Sequence, residues 1–254
     1  MIEVSQTIAH HILDHDFGVM LGTVHLPLTA HTVTMFCVSV VLLLTGFLMT
    51  WPGSSVFARL MRTLGEEYVG FMRDGVVLPG MGPEGKAFLS YFCTLFLFIL
   101  FSNLAGLIPD VKTITSNISV TGALALCSGA LILYCGIKFH GVTGFIKTFV
   151  PGGTPWWLVP LIFPLEVISL LIRVCVLAIR LFANMLSGHM VLLSLLLIVF
   201  ILGQMSKAAG AGAALPAMGL EIFMTLLELL VAFLQAYVFT LLTAIYAGLV
   251  IHSH

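Results

Sequence analysis

Two apolar runs in the C-terminal half of the chain are too long to cross a bilayer upright. Leu165–Gly203 and Ala217–Ile251 hold 39 and 35 residues, with almost no turn-forming chemistry inside them. As helices they measure about 58 Å and about 52 Å at 1.5 Å per residue, against a hydrocarbon core about 30 Å thick. Either both helices break, or both lie far from the membrane normal. Ordinary tilt is about 20°, and these lengths need something nearer 55°. The sequence favours two long, strongly tilted helices joined by a turn in the Gly/Ala-rich "SKAAGAGAALP". A pair of broken helices is the alternative.

The remaining sequence fits the same solvent. The 254 residues are 60% hydrophobic and 8% charged, where a soluble domain carries roughly a quarter charged residues. This composition is that of an integral membrane protein. The formal net charge is −1 and no basic patch is present, so nucleic-acid binding is excluded. Cys37, Cys93, Cys127, Cys135 and Cys175 sit in or beside apolar runs without a CxxC pair. They read as small hydrophobes, not as disulfides or metal ligands.

Three earlier runs have ordinary spanning length: Val33–Thr50, Ala87–Pro109 and Ile118–Ile137. The expected fold is therefore an all-α membrane protein of about five passes, near 33–50, 87–109, 118–137, 165–203 and 217–251. Residues 31–254 form one membrane domain, preceded by a polar segment, 1–30. An acidic, His-rich stretch rather than a basic one precedes the first run, which reads as a span of the mature protein, not a signal peptide. Residues 1–30 are expected to be a solvated amphipathic helix, the alternative being a metal site from His10, His11 and His15. Residues 51–82 carry Arg59, Arg62, Glu66, Glu67, Arg73 and Asp74. They are expected to hold a short interfacial helix before the turn-rich "LPGMGPEGK". With five passes, Arg59, Arg62, Arg73, Lys138 and Lys147 share one side, and Lys112 and Lys207 the other. The positive-inside rule places the first group in the cytoplasm and the N-terminus on the periplasmic side. No internal repeat of the kind common in secondary transporters is visible.

Polar residues inside the two long runs are arranged in stripes. At 100° per residue, Arg173 lies about 20° from Arg180, and Asn184 and Glu166 each about 40° from it. Ser187 falls near the same arc, while His189 is expected on the opposite side. In the second run Glu221, Glu228 and Gln235 recur every seven residues, with Thr225 on the same face. A charge at membrane depth costs at least ~2.5–3.5 kcal/mol, so such groups must line water, pair, or meet a partner. Arg173 can also snorkel to the interface, and Glu166 and Glu221 can be interfacial or sit near a helix end. Arg180, Glu228 and Gln235 lie too deep for that. One intramembrane histidine argues against a bis-histidine haem.

"IRLFANMLSGHM" resembles the signature of subunit a of F-type ATP synthases. "PLEVISLLIRVCVLAIRLFANM" and "LLELLVAFLQAYVFTLLTAIYAG" resemble that family's last two helices. "GPEGKAFLSYFCTLFLFILFSNLAGLIP" and "GLIPDVKTITSNISVTGALAL" resemble the middle of its bacterial members. The likeness covers roughly residues 30–250, in order. It implies a long membrane-parallel helical hairpin against a rotating ring of c subunits, with the b-subunit peripheral stalk and the remaining subunits as further partners. It implies proton transport through two offset half-channels, no cofactor or metal, and no bond-making site of its own, since ATP chemistry belongs to other subunits. By position, Arg180 is the essential separator of the half-channels, flanked by Asn184 and Gln235. His189 and Glu228 match an acid/histidine pair of the inlet, Glu221 extends it, Ser187 lies along the proton path, and Glu166 matches a carboxylate at the cytoplasmic outlet. The membrane implied is the bacterial plasma membrane, with the mitochondrial inner membrane as alternative. Two other classes fit the stripes without the resemblance: a secondary transporter gripping an anion with Arg180, and a structural subunit of a respiratory complex.

Overall fold

The computed structural model describes residues 16–21, 24–51, 55–107, 114–148, 155, 157–205 and 207–252. The candidate metal site at His10, His11 and His15 lies outside them. Among the described residues, five helical segments are long and apolar enough to cross a membrane: Thr32–Thr50, one within Val56–Gly106, Ile118–Gly141, Val159–Gly188 and Leu215–Ile251. The all-α, five-pass expectation holds.

The N-terminal segment departs from it. Strand β1 (Asp16–Leu21) pairs antiparallel with β2 (Val24–Thr29), Asp16 opposite Thr29 and Leu21 opposite Val24. The amphipathic helix expected at the start is therefore a β-hairpin over these residues. Gly18 and Pro27, the two poorest helix formers, stand opposite each other in its register.

Helix α1 (Ala30–Thr50) is apolar nearly all round. Its hydroxyls bond inward, Ser39 Oγ to the Met35 carbonyl at 2.8 Å and Thr45 Oγ1 to Leu42 at 2.9 Å, as lipid requires of every polar group. Arg62 Nη2 donates to the Trp51 carbonyl at 3.0 Å and closes the corner to α2 (Val56–Met72). Ser55 caps that helix, its Oγ accepting from the Ala58 amide at 3.1 Å. A helix expected in 51–82 is present as α2: it exposes Val56, Phe57, Leu60 and Leu64 beside Arg59, Arg62, Glu66 and Glu67. A π-turn, Arg73–Val77, the short α3 (Leu78–Met81) and a 3-10 turn, Gly82–Phe88, lead into α4 (Leu89–Gly106). Helix α5 (Ile118–Thr148) runs past its expected end and is kinked at Gly141.

The two long helices are α6 (Val159–Met205) and α7 (Lys207–Ile251). At 47 and 45 residues they are each about 70 Å long, and neither breaks. Of the stretch "SKAAGAGAALP" expected to turn, Ser206 lies outside the described residues, and from Lys207 onward it forms the first turns of α7. Five alanines, the best helix formers, outweigh the glycines. Pro216 sits inside the helix, as membrane helices tolerate.

Helices α4 to α7 meet in one core of Phe92, Phe96 and Ile99, Ile132, Leu177 and Leu181, and Ala236, Phe239 and Ala247, with Met72, Val77 and Met81 closing one end. Helix α7 enters it through small residues, which let backbones approach closely. A Cβ on Gly248 would overlap the Gly80 carbonyl oxygen. Gly248→Ala is therefore expected to destabilise the chain by about 1–3 kcal/mol, as overpacking does. Thermal unfolding in detergent measures this. Gly70→Ala is the control, since its Cβ meets nothing within 4 Å.

Candidate functional site

One part of the two stripes, Asn184 and Ser187 of α6 and Glu228 of α7, meets across an antiparallel contact at a glycine. A Cβ on Gly188 would collide with the Glu228 carboxylate, at Oε1 first and at Cδ within 2.9 Å. Glu228 is thus seated over the bare backbone of α6. Asn184, Ser187, Gly188, Val191, Glu228 and Ala232 line a cleft of about 220 Å³ there, large enough for ordered water. Glu228 Oε1 is buried with no hydrogen-bond partner among the described residues, and buried polar atoms in such positions are commonly satisfied by water. Ser187 Oγ donates to the Asn184 carbonyl at 2.9 Å.

Eight residues back along α6 and eight forward along α7 from this contact, equal rises bring Arg180 level with Ala236, beside Gln235. Gln235 is 7% exposed and its Nε2 is also buried without a partner among the described residues. Arg180 stands on the outer side of α6, exposed, about halfway along the helix. Its neighbours on that surface are apolar and exposed: Ile172, Val176 and Ile179. Leu177, Leu181 and Met185 face the core instead. The guanidinium makes no hydrogen bond or ion pair with any described residue.

One turn set beyond, Arg173 Nη2 lies 3.9 Å from Glu166 Oε1, both half-buried. The Arg173 guanidinium also covers the Tyr246 ring, 5.3 Å from its centroid. Arg173 is therefore held against α7. Glu221 is placed differently: with Met218, Ile222, Thr225 and Leu226 it lines a shallow groove on α7 alone. Thr225 Oγ1 donates to its backbone carbonyl at 2.9 Å. His189 lies on α6 one residue past Gly188; its side chain is outside the described residues.

Sequence reasoning missed three residues. Gly188 was signalled by a glycine inside an apolar helix, usually a mark of close approach. Tyr246 lies 18 residues after Glu228, a whole number of helical turns, so it continues the second stripe. Asn103, on α4, has no such signal. Buried, it donates from Nδ2 to the Ala232 carbonyl at 3.3 Å and accepts from Thr115 Oγ1 at 3.0 Å, pinning α7 between Glu228 and Gln235.

Five apolar passes among the described residues, with the Glu228 carboxylate set in a cleft between two long helices, define a multi-pass membrane protein with ionisable chemistry at membrane depth. Residues 32–248 match the family described as ATP synthase A chain. The chain is 40% identical over 220 residues to ATP synthase subunit a of Acidiphilium cryptum, covering 87% of each. It is 38% identical over 245 residues to that of Myxococcus xanthus, covering 93% of this chain and 78% of the relative. With the Brucella canis subunit it shares 39% over 233 residues, 91% and 92% of the two chains. The chain belongs to the ATP synthase subunit a family, the proton-translocating component of the membrane sector, and is part of the ATP synthase complex.

Proposed function

We propose that this chain is the stator against which a ring of c subunits turns in a bacterial plasma membrane, with Arg180 separating two proton half-channels. The observation that carries the reading is the exposure of Arg180, without a partner among the described residues, beside the exposed apolar side chains Ile172, Val176 and Ile179, halfway along a membrane helix. A guanidinium there is costly in lipid and cannot shed its proton. A passing carboxylate on another subunit satisfies it. That carboxylate must be neutral in lipid and is drawn to the charged form beside Arg180, so it gives up and regains protons on opposite sides of the arginine. Asn184 and Gln235 flank that event. The cleft with Glu228 and Ser187, together with His189 and Glu221, serves as the inlet. Glu166, held by Arg173, serves as the outlet. The b-subunit stalk holds the chain against the torque.

Cross-linking tests the docking face. Cysteines at Ile172, Val176 and Ile179 are expected to form disulfides with cysteines on the carboxylate-bearing helix of subunit c in the assembled complex. Leu177→Cys, on the core side, is not. The reverse pattern sinks the reading.

A further inference from the structure

The last turn of α7 is gripped by a second element that none of the roles above uses. His140 Nε2, on α5, lies 3.0 Å from the Val250 carbonyl and 2.9 Å from that of Ile251. Both belong to the last turn of the helix, where carbonyls take donors from outside the helical ladder. Only a ring nitrogen carrying a proton suits two carbonyls, so Nε2 is the donor. The next residue, Gly141, has φ +69°, where glycine adopts freely what other residues resist. That kink turns the chain back, and Phe145 returns to the bare backbone of Gly136, where Val250 also meets it. Gly248 abuts Gly80 of α3, and its carbonyl is also met by Nδ1 of His252, four residues on and just past the end of the same helix, at 3.0 Å. The end of α7 is thus clasped between the kink of α5 and the turn at α3.

We propose that His140 is a positioning residue for proton translocation: it fixes the axial position of α7, and so holds Gln235 and Glu228 opposite α6. Val250 lies fifteen residues beyond Gln235, about 22 Å along the helix, and a helix packed on both sides passes a shift of its end along its length. The inference rests on the proposed function for its consequence, but not for the clasp itself.

The test uses the assembled complex in proteoliposomes, with His140→Leu and His140→Gln beside wild type and Arg180→Ala. Protons pumped per ATP hydrolysed and hydrogen exchange of the α7 C-terminal amides are measured at matched subunit content. His140→Leu is expected to lower pumping and to speed exchange roughly twofold to tenfold, the worth of a hydrogen bond. His140→Gln, whose amide still donates, is expected to keep most of both. Wild-type behaviour of His140→Leu overturns the proposal. So does a glutamine variant as impaired as leucine, or a loss that lies wholly in subunit content. Unimpaired pumping in Arg180→Ala removes the functional reading, while the exchange rates still decide the clasp.

Discussion

Arg180→Ala is expected to abolish ATP-driven proton pumping by the assembled complex, while passive proton conduction through the membrane sector stays or rises. Two carried charges about 4 Å apart at an effective dielectric near 20 attract by about 4 kcal/mol. That is about a thousandfold in an equilibrium at 1.4 kcal/mol per decade. On the proposed reading, the ring carboxylate without it has no reason to ionise at this point of its circuit, and the barrier between the half-channels also goes, because alanine neither repels a proton nor blocks one. Arg180→Lys keeps a charge but loses the planar fork, and is expected to lose coupling too. Pumping and leak are measured on the same vesicles, the leak after removal of the catalytic head. Coupled pumping in Arg180→Ala at the wild-type rate would falsify the separator role.

The exposed position of Arg180 sharpens that expectation. Were the arginine paired within its own chain, its removal would leave a buried carboxylate uncompensated, and lost folding would mask lost coupling. Among the described residues it has no such tie, while Arg173, two turns away, does. The two arginines of one stripe are thereby separated, one held against α7 and one open to a neighbour.

The long helices were legible because length and composition are local properties. A run of apolar residues longer than the bilayer is thick can be counted without knowing its neighbours, and α6 and α7 are unbroken. The stripes were legible for the same reason, since 3.6-residue periodicity is read along one chain. The turn before α7 was drawn too long, because glycine suggested a break and the alanines from Lys207 onward were undervalued. The hairpin of Asp16–Thr29 was missed because histidines and acidic residues suggested a solvated helix, while pairing depends on a partner strand. At the site, each stripe was visible but their register was not. Nothing in the spacing within α6 says that Gly188 meets Glu228 rather than Glu221. That follows from how α4, α5 and α7 converge, with Asn103 of α4 bonded to Ala232. The family match then sets aside the anion transporter and the respiratory subunit.

The register at Gly188 yields the second large effect. Gly188→Ala puts a methyl group where the Glu228 carboxylate now rests. The obstacle is the tip of a flexible side chain, so the fold is expected to survive and the carboxylate to move out of the cleft. A displacement of about 1 Å of a reacting group can cost about a hundredfold in rate, so coupled pumping is expected to fall by up to about a hundredfold at unchanged subunit content. Glu228→Asp withdraws the carboxylate by one methylene and alone is expected to weaken pumping as well. Combined with Gly188→Ala, the shorter side chain clears the new methyl group, and the double variant is expected to pump better than Gly188→Ala alone. Such coupling between neighbours is what a double-mutant cycle detects. If the two losses simply add, Glu228 is not seated on Gly188 in the working complex, and the cleft does not carry protons by the route drawn here.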